Sequence, residues 1–161
     1  SFGVAAAQAL IDGEIDGFWA NGMGAEVAIT AGIAKCIIDV RRGDGPKSAF
    51  GFTQPALVAS SKLVEEQPEL AAGAVRAIAA THAALKEDLT LATRIGEKLF
   101  PKKEADLIAR LIERDLPYYS TVVSEEFVAS MNGFAAEAGL LEGGPVPYDD
   151  IVATQFRDLW R

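Results

Sequence analysis

"GEIDGFWANGMGAEVAITAG", residues 13–32, decides how the first third of the chain is read. An alanine-rich helix from Val4 to Asp12 runs into it, and Gly13 stops that helix, because glycine enters the left-handed conformation that closes a helix end. Gly17-Phe18-Trp19-Ala20 is short and apolar, the texture of a buried strand. Gly22 to Ala31 reads as a helix, with Asn21 as its cap and Gly32 as its stop. Further out, Lys35-Cys36-Ile37-Ile38-Asp39-Val40 is β-branched and reads as the next strand. "RRGDGPKS", residues 41–48, is turn chemistry, and Phe50 to Ser60 is a third extended stretch. Helices alternating with short apolar strands predict an α/β fold with a parallel sheet.

From Pro68 onward the pattern turns helical. Leu70, Ala71, Ala74, Val75, Ile78, His82 and Leu85 recur at 3.6-residue spacing and predict one long amphipathic helix. A shorter helix from Leu89 to Leu99 ends before Pro101. Leu107, Ile108, Leu111 and Ile112 form the stripe of the next, which Pro117 terminates. Ser124 is placed as an N-cap, followed by Glu125 and Glu126 at the positive helix start. Phe127, Val128, Met131, Phe134 and Ala135 line that helix, and Gly139 ends it. Tyr148, Ile151, Val152, Phe156 and Leu159 make a final amphipathic segment.

The composition narrows the function classes. Half of the 161 residues are hydrophobic and 24% are charged, so the chain has the means to fold. A formal charge of −8 speaks against partners whose phosphates attract basic surfaces, nucleic acid and anionic membrane alike. Cys36 is the single cysteine, so no internal disulfide forms, and the stretch around it predicts a buried structural thiol. No run reaches the roughly 18 apolar residues of a spanning helix. No signal peptide is visible, and the opening Ser1-Phe2-Gly3 reads as a trimmed piece of a longer protein.

Little in the sequence calls for catalysis. His82, the single histidine, sits on a helix stripe and reads as a core-edge residue. One histidine and one cysteine exclude multi-histidine and multi-cysteine metal sites within this chain. Glu125-Glu126 and Asp149-Asp150 are adjacent on helices and do not face each other. No serine has the Gly-x-Ser-x-Gly setting of an activated nucleophile. The expectation is a protein that is not an enzyme and needs neither metal nor cofactor.

Gly22-Met23-Gly24 is different in kind. A helix start presents backbone N–H groups and the positive end of the helix dipole, a combination that binds carboxylate, sulfonate or phosphate groups. Trp19 offers a flat face beside those donors. An ordinary glycine-assisted turn with Trp19 in the core is the competing reading.

The order of segments resembles the second lobe of type II periplasmic solute-binding proteins of ABC transporters. The subgroup it resembles handles nitrate, sulfonates, bicarbonate or thiamine-pyrimidine precursors. "AAAQALIDGEIDGFWA" is similar to that family's helix-Gly-x-hydrophobic-Asp-Ala-hydrophobic stretch, with Gly17 where the family often has alanine. "ALVASSKLVEEQPELAAGAVRAIAATHAALKEDLTLAT" and "YYSTVVSEEFVASMNGFAAEAGLLEGGPVPYDDIVATQFRDLW" are similar to its later segments and its close. The resemblance covers essentially the whole chain. Members are typically about twice this length, so it implies the C-terminal half only. Residues 1–59 would form a βαβ segment of the second lobe with a return hinge strand. Residues 60–161 would form helices that cover an absent first lobe.

The resemblance implies that a small anionic or heterocyclic solute is captured in an interlobe cleft and handed to an ABC permease. It places the protein in the periplasm or lipid-anchored outside the cytoplasmic membrane. It carries Trp19, Asn21, Gly22 and Met23 over as ligand contacts, to which the helix-start reading adds Gly24, and puts Thr53 and Gln54 near the hinge. It also implies that the chain alone associates with itself, through uncovered helix stripes and the edge of Phe50–Ala59. Two alternatives stay open: a thiamine-pyrimidine biosynthesis enzyme of the same fold, and a ligand-sensing domain of a regulator.

Overall fold

The computed structural model of the chain describes residues 4–20, 22–47, 51 and 55–161. They form eight α-helices with short 3₁₀ turns, and among the described residues there is no strand. The helices are α1 (Val4–Ile11), α2 (Gly22–Thr30), α3 (Ser61–Glu66), α4 (Pro68–Glu87), α5 (Thr90–Leu99), α6 (Lys102–Asp115), α7 (Glu125–Glu137) and α8 (Tyr148–Ile151). The chain divides into two compact units, Ser1–Ile38 with Ala84–Tyr119, and Asp39–Ala83 with Ser120–Arg161.

Helix ends follow the local chemistry closely. Gly13, Gly32 and Gly139 all have positive φ, where a β-carbon would be strained. Each closes a helix with paired hydrogen bonds: after α7, Gly139 N–H donates to Ala136 O and Leu140 N–H to Ala135 O. Ser124 caps α7 by accepting from the Phe127 N–H at 3.1 Å, and Ser60 caps α3 by accepting from the Leu63 N–H at 3.2 Å. Pro101 precedes α6, which passes into a 3₁₀ turn, Leu116–Tyr118, that contains Pro117.

In the first unit α1 packs on α2, α2 on α6, and α5 on α6. Small residues set the approach. Ala7, Ala28, Ala92 and Ala105 are buried, and a β-carbon on Gly96 would lie 3.4 Å from that of Ala105. Asp88 organises the start of α5: its carboxylate accepts from the Thr90 hydroxyl at 2.6 Å, the Thr90 N–H at 3.0 Å and Arg94 at 3.1 Å. Those bonds hold its pKa below the ordinary aspartate value, the Thr90 hydroxyl being the main cause.

The second unit is built on α4. Ala71, Ala72 and Phe156 are its buried centre, with Leu63, Val64, Val75, Ala153 and Leu159 packed around them. Phe156 comes from a 3₁₀ turn, Thr154–Leu159, that follows α8. Side-chain bonds to backbone secure the loops. Asn132 donates to Val146 O at 2.8 Å and accepts from Val146 N–H at 3.0 Å, and the Tyr148 hydroxyl donates to Val123 O at 2.6 Å. The Thr121 hydroxyl donates to Trp160 O, and the Arg157 guanidinium lies 5.9 Å from the Trp160 ring centre.

Residues 39–45 form a self-bonded loop within that unit. Asp39 accepts from the Arg41 N–H and pairs with its guanidinium at 2.6 Å. Asp44 accepts from the Asp39 N–H at 3.0 Å and from Arg42 at 3.0 Å. Gly43, at φ +85°, closes the turn between them. Both aspartates are held below their ordinary pKa, Asp39 chiefly by Arg41 and Asp44 chiefly by the Asp39 N–H.

The expected α/β fold with its parallel sheet is therefore corrected: the structure is helical, without a sheet among the described residues. Residues 17–20 and 34–39 are neither helix nor strand, as are residues 55–60. The physical reason is pairing. An extended segment becomes a strand only when a neighbour accepts its backbone bonds, and β-branched composition does not supply that neighbour. Nor are these segments buried: Ile37 is 87% exposed and Val58 83%. Cys36 is exposed rather than buried, its thiol 3.5 Å from Ile38 O. On α4 the buried face centres on Ala71 and Ala72, leaving Leu70 and Ile78 of the expected stripe exposed. The final segment also differs, being broken at Val152 and Ala153 between α8 and the 3₁₀ turn.

Candidate functional site

Residues 17–20 precede α2 in the sequence, and Trp19 among them is 77% exposed. Core placement of Trp19 is thereby excluded. Gly22, Met23 and Gly24 form the first turn of α2, where N–H groups lack intrahelical acceptors and the dipole is positive. No acidic side chain of α2 occupies that first turn. Gly22 and Met23 are half-buried and Gly24 is buried, so of these residues Trp19 is the exposed one. Asn21, Thr53 and Gln54 lie outside the described residues, and so does the Phe50 end of the expected hinge strand.

The position of that helix start is set from α6. A β-carbon on Gly22 would fall 2.4 Å from Leu111 Cδ1, so glycine at 22 lets Leu111 seat beneath the first turn. One turn further along, Arg114 Nη1 donates to Glu26 Oε2 at 3.1 Å. The Thr30 hydroxyl donates to Glu26 Oε1 at 3.2 Å, and Arg114 also pairs with Asp115 at 2.8 Å. Gly22 and Glu26 are four apart on α2, while Leu111 and Arg114 are three apart on α6. Each pair therefore lies on one helix face, and the two helices meet through an apolar contact and an ionic one.

Sequence reasoning missed Glu26, Leu111 and Arg114 as determinants of this geometry. One signal was present: Glu26 is the single charge in the apolar run GMGAEVAIT, and a carboxylate so placed needs a cation. Nothing in the sequence revealed which cation it would be, since Arg114 is 88 residues away.

Other chemistry is sparse. Among the described residues no group of three or more histidine, cysteine, aspartate or glutamate side chains could hold a metal ion. No described helix is long and apolar enough to cross a membrane. His82 is half-buried on α4. A shallow depression of about 260 Å³ in the second unit is lined by Arg76, Asp158, Arg161, Leu159 and alanines of α4, and contains none of the expected ligand contacts.

Comparison with protein-family models, with curated proteins and with solved structures finds no match for this chain.

Proposed function

We propose that the chain is the substrate-binding component of an ABC importer, taking a small anionic or heterocyclic solute at Trp19 and the first turn of α2. The observation that carries this reading is the exposure of Trp19, 77%, three residues before Gly22 in the sequence, where α2 begins with no acidic side chain in its first turn. A bare indole face in water is a stacking surface for a flat solute, and the N–H groups and positive dipole of a helix start favour an anion. The resemblance of the quoted stretches to that family's segments is the second ground for the proposal. The role is capture rather than catalysis, with an ABC permease as the partner that receives the solute. Such a role places the protein in the periplasm or anchored by lipid outside the cytoplasmic membrane.

Trp160→Phe leaves Trp19 as the sole tryptophan and makes the test specific. Emission and calorimetric heat are followed while nitrate, an alkylsulfonate, bicarbonate and an aminopyrimidine are titrated in turn. A saturable change in Trp19 emission with at least one of them is expected. Silence of both readouts across the whole panel contradicts the reading.

A further inference from the structure

The depression of about 260 Å³ in the second unit is built from two elements. Helix α4 supplies Arg76, Ala79, Ala80 and Ala83, which are spaced i, i+3, i+4 and i+7 and so share one helix face. The 3₁₀ turn Thr154–Leu159 supplies Asp158 and Leu159, and Arg161 follows it. Leu159 also packs against Ala71, Ala72 and Phe156, which ties this side of the depression to the buried centre of the unit.

Charge sets the depression apart. On a chain of net charge −8, its lining holds two guanidiniums and one carboxylate. Among the described residues Asp158 pairs with neither arginine, and the side chains of Arg76, Asp158 and Arg161 make no hydrogen bond. Arg76 is engaged only loosely, in an ion pair with Glu69 at 3.8 Å, and the Glu69 side chain is 93% exposed. A surface pair of that kind contributes little, so it yields readily to a better-matched anion. Charges of both signs therefore line one small depression without satisfying each other.

We propose that this depression binds a small aliphatic zwitterion, an amino acid. Its carboxylate goes to Arg76 and Arg161, its ammonium to Asp158, and its carbon atoms lie on the alanines of α4 and on Leu159. Hydrogen bonds between a guanidinium and a carboxylate are the strong, charge-assisted kind. An anion alone would meet the unmatched charge of Asp158, and a cation alone would meet two like charges. A zwitterion matches both signs at once. Size points the same way: about 260 Å³ is below the usual span of ligand pockets, about 300–1,000 Å³, so the ligand has few atoms. Trp19 and the start of α2 belong to the other unit, and binding here is independent of the solute reading made for them.

An NMR titration of the chain with L-alanine, β-alanine and L-valine tests the proposal, with acetate and methylammonium as singly charged controls. Saturable shifts are expected at the amides of residues 79–83 and 158–161 with at least one of the three amino acids. That amino acid should bind about tenfold more tightly than either control, a difference near 1.4 kcal/mol. Arg76→Gln and Asp158→Asn should each weaken it by about the same factor, while Asp158→Asn leaves acetate no weaker. Both residues are exposed, so both variants should keep their helix content, which circular dichroism checks. Lys86→Gln, on α4 but outside the depression, should leave the affinity unchanged. Absence of saturable shifts with all three amino acids overturns the proposal. So do shifts centred elsewhere, acetate binding as tightly as the amino acid, or an affinity that survives Arg76→Gln or Asp158→Asn.

Discussion

The helix α7 and the segment 33–38 both carry apolar side chains, yet they meet opposite fates. Phe127, Val128, Met131, Phe134 and Ala135 of α7 are each at least half-buried, whereas Ile33, Ile37 and Ile38 face solvent. A helix satisfies its own backbone bonds and needs only a surface against which to lay one stripe. An extended segment must find both a stripe and a hydrogen-bonding edge before it gains anything. Short apolar runs are thus conditional structure, and among the described residues the condition is unmet. What they leave behind is exposed apolar surface, Trp19 and Ile37 included.

Breaking the buried side of this comparison should give the largest effect. Phe156 joins the C-terminal 3₁₀ turn to Ala71 and Ala72 of α4, and Phe156→Ala is expected to cost about 3 kcal/mol in urea unfolding. A loss under about 1 kcal/mol would mean that this core contributes little to stability.

The ionic contact between α2 and α6 comes next. Arg114→Met strands the largely buried carboxylate of Glu26 and should cost about 2 kcal/mol, less than a fully buried pair because the Arg114 side chain is 32% exposed. Adding Glu26→Leu should restore most of that loss, since two apolar groups in contact leave no charge unpaired. If the double variant is no more stable than Arg114→Met, the lost stability does not come from a stranded charge.

The self-bonded loop 39–45 should respond to acid. Its aspartates have pKa values below the ordinary carboxylate range, so their contribution is fully present above that range and is lost as pH falls through the depressed values. The amide resonance of Arg41, which donates to Asp39, is expected to titrate with a midpoint below that of an unpaired aspartate. An ordinary midpoint would show that Arg41 does not hold Asp39 in solution.

The sequence disclosed the helices well because their ends are chemically local. Gly13, Gly32 and Gly139 supply left-handed conformations within their own turns, and Ser124 and Pro117 act within three residues. The candidate site was half legible: Trp19 and the glycine-rich first turn could be named, but not the reason the turn sits where it does. That reason, Leu111 under Gly22 and Arg114 on Glu26, depends on contacts across about 90 residues of chain. The strands were misread because Trp19, Ile37 and Val58 have strand-like neighbours in sequence and, among the described residues, no strand to pair with. α3 was passed over because Phe50–Ser60 drew the eye to extension, although Ser60 is the cap that starts it.

The most direct test of the account is Trp19→Ala, measured at once for urea stability and for affinity toward whichever solute of the panel binds. An exposed indole that serves binding predicts a stability change within about 0.5 kcal/mol and an affinity loss of about tenfold, near 1.4 kcal/mol. A stability loss of several kcal/mol with unchanged affinity would contradict it, and would return Trp19 to the core.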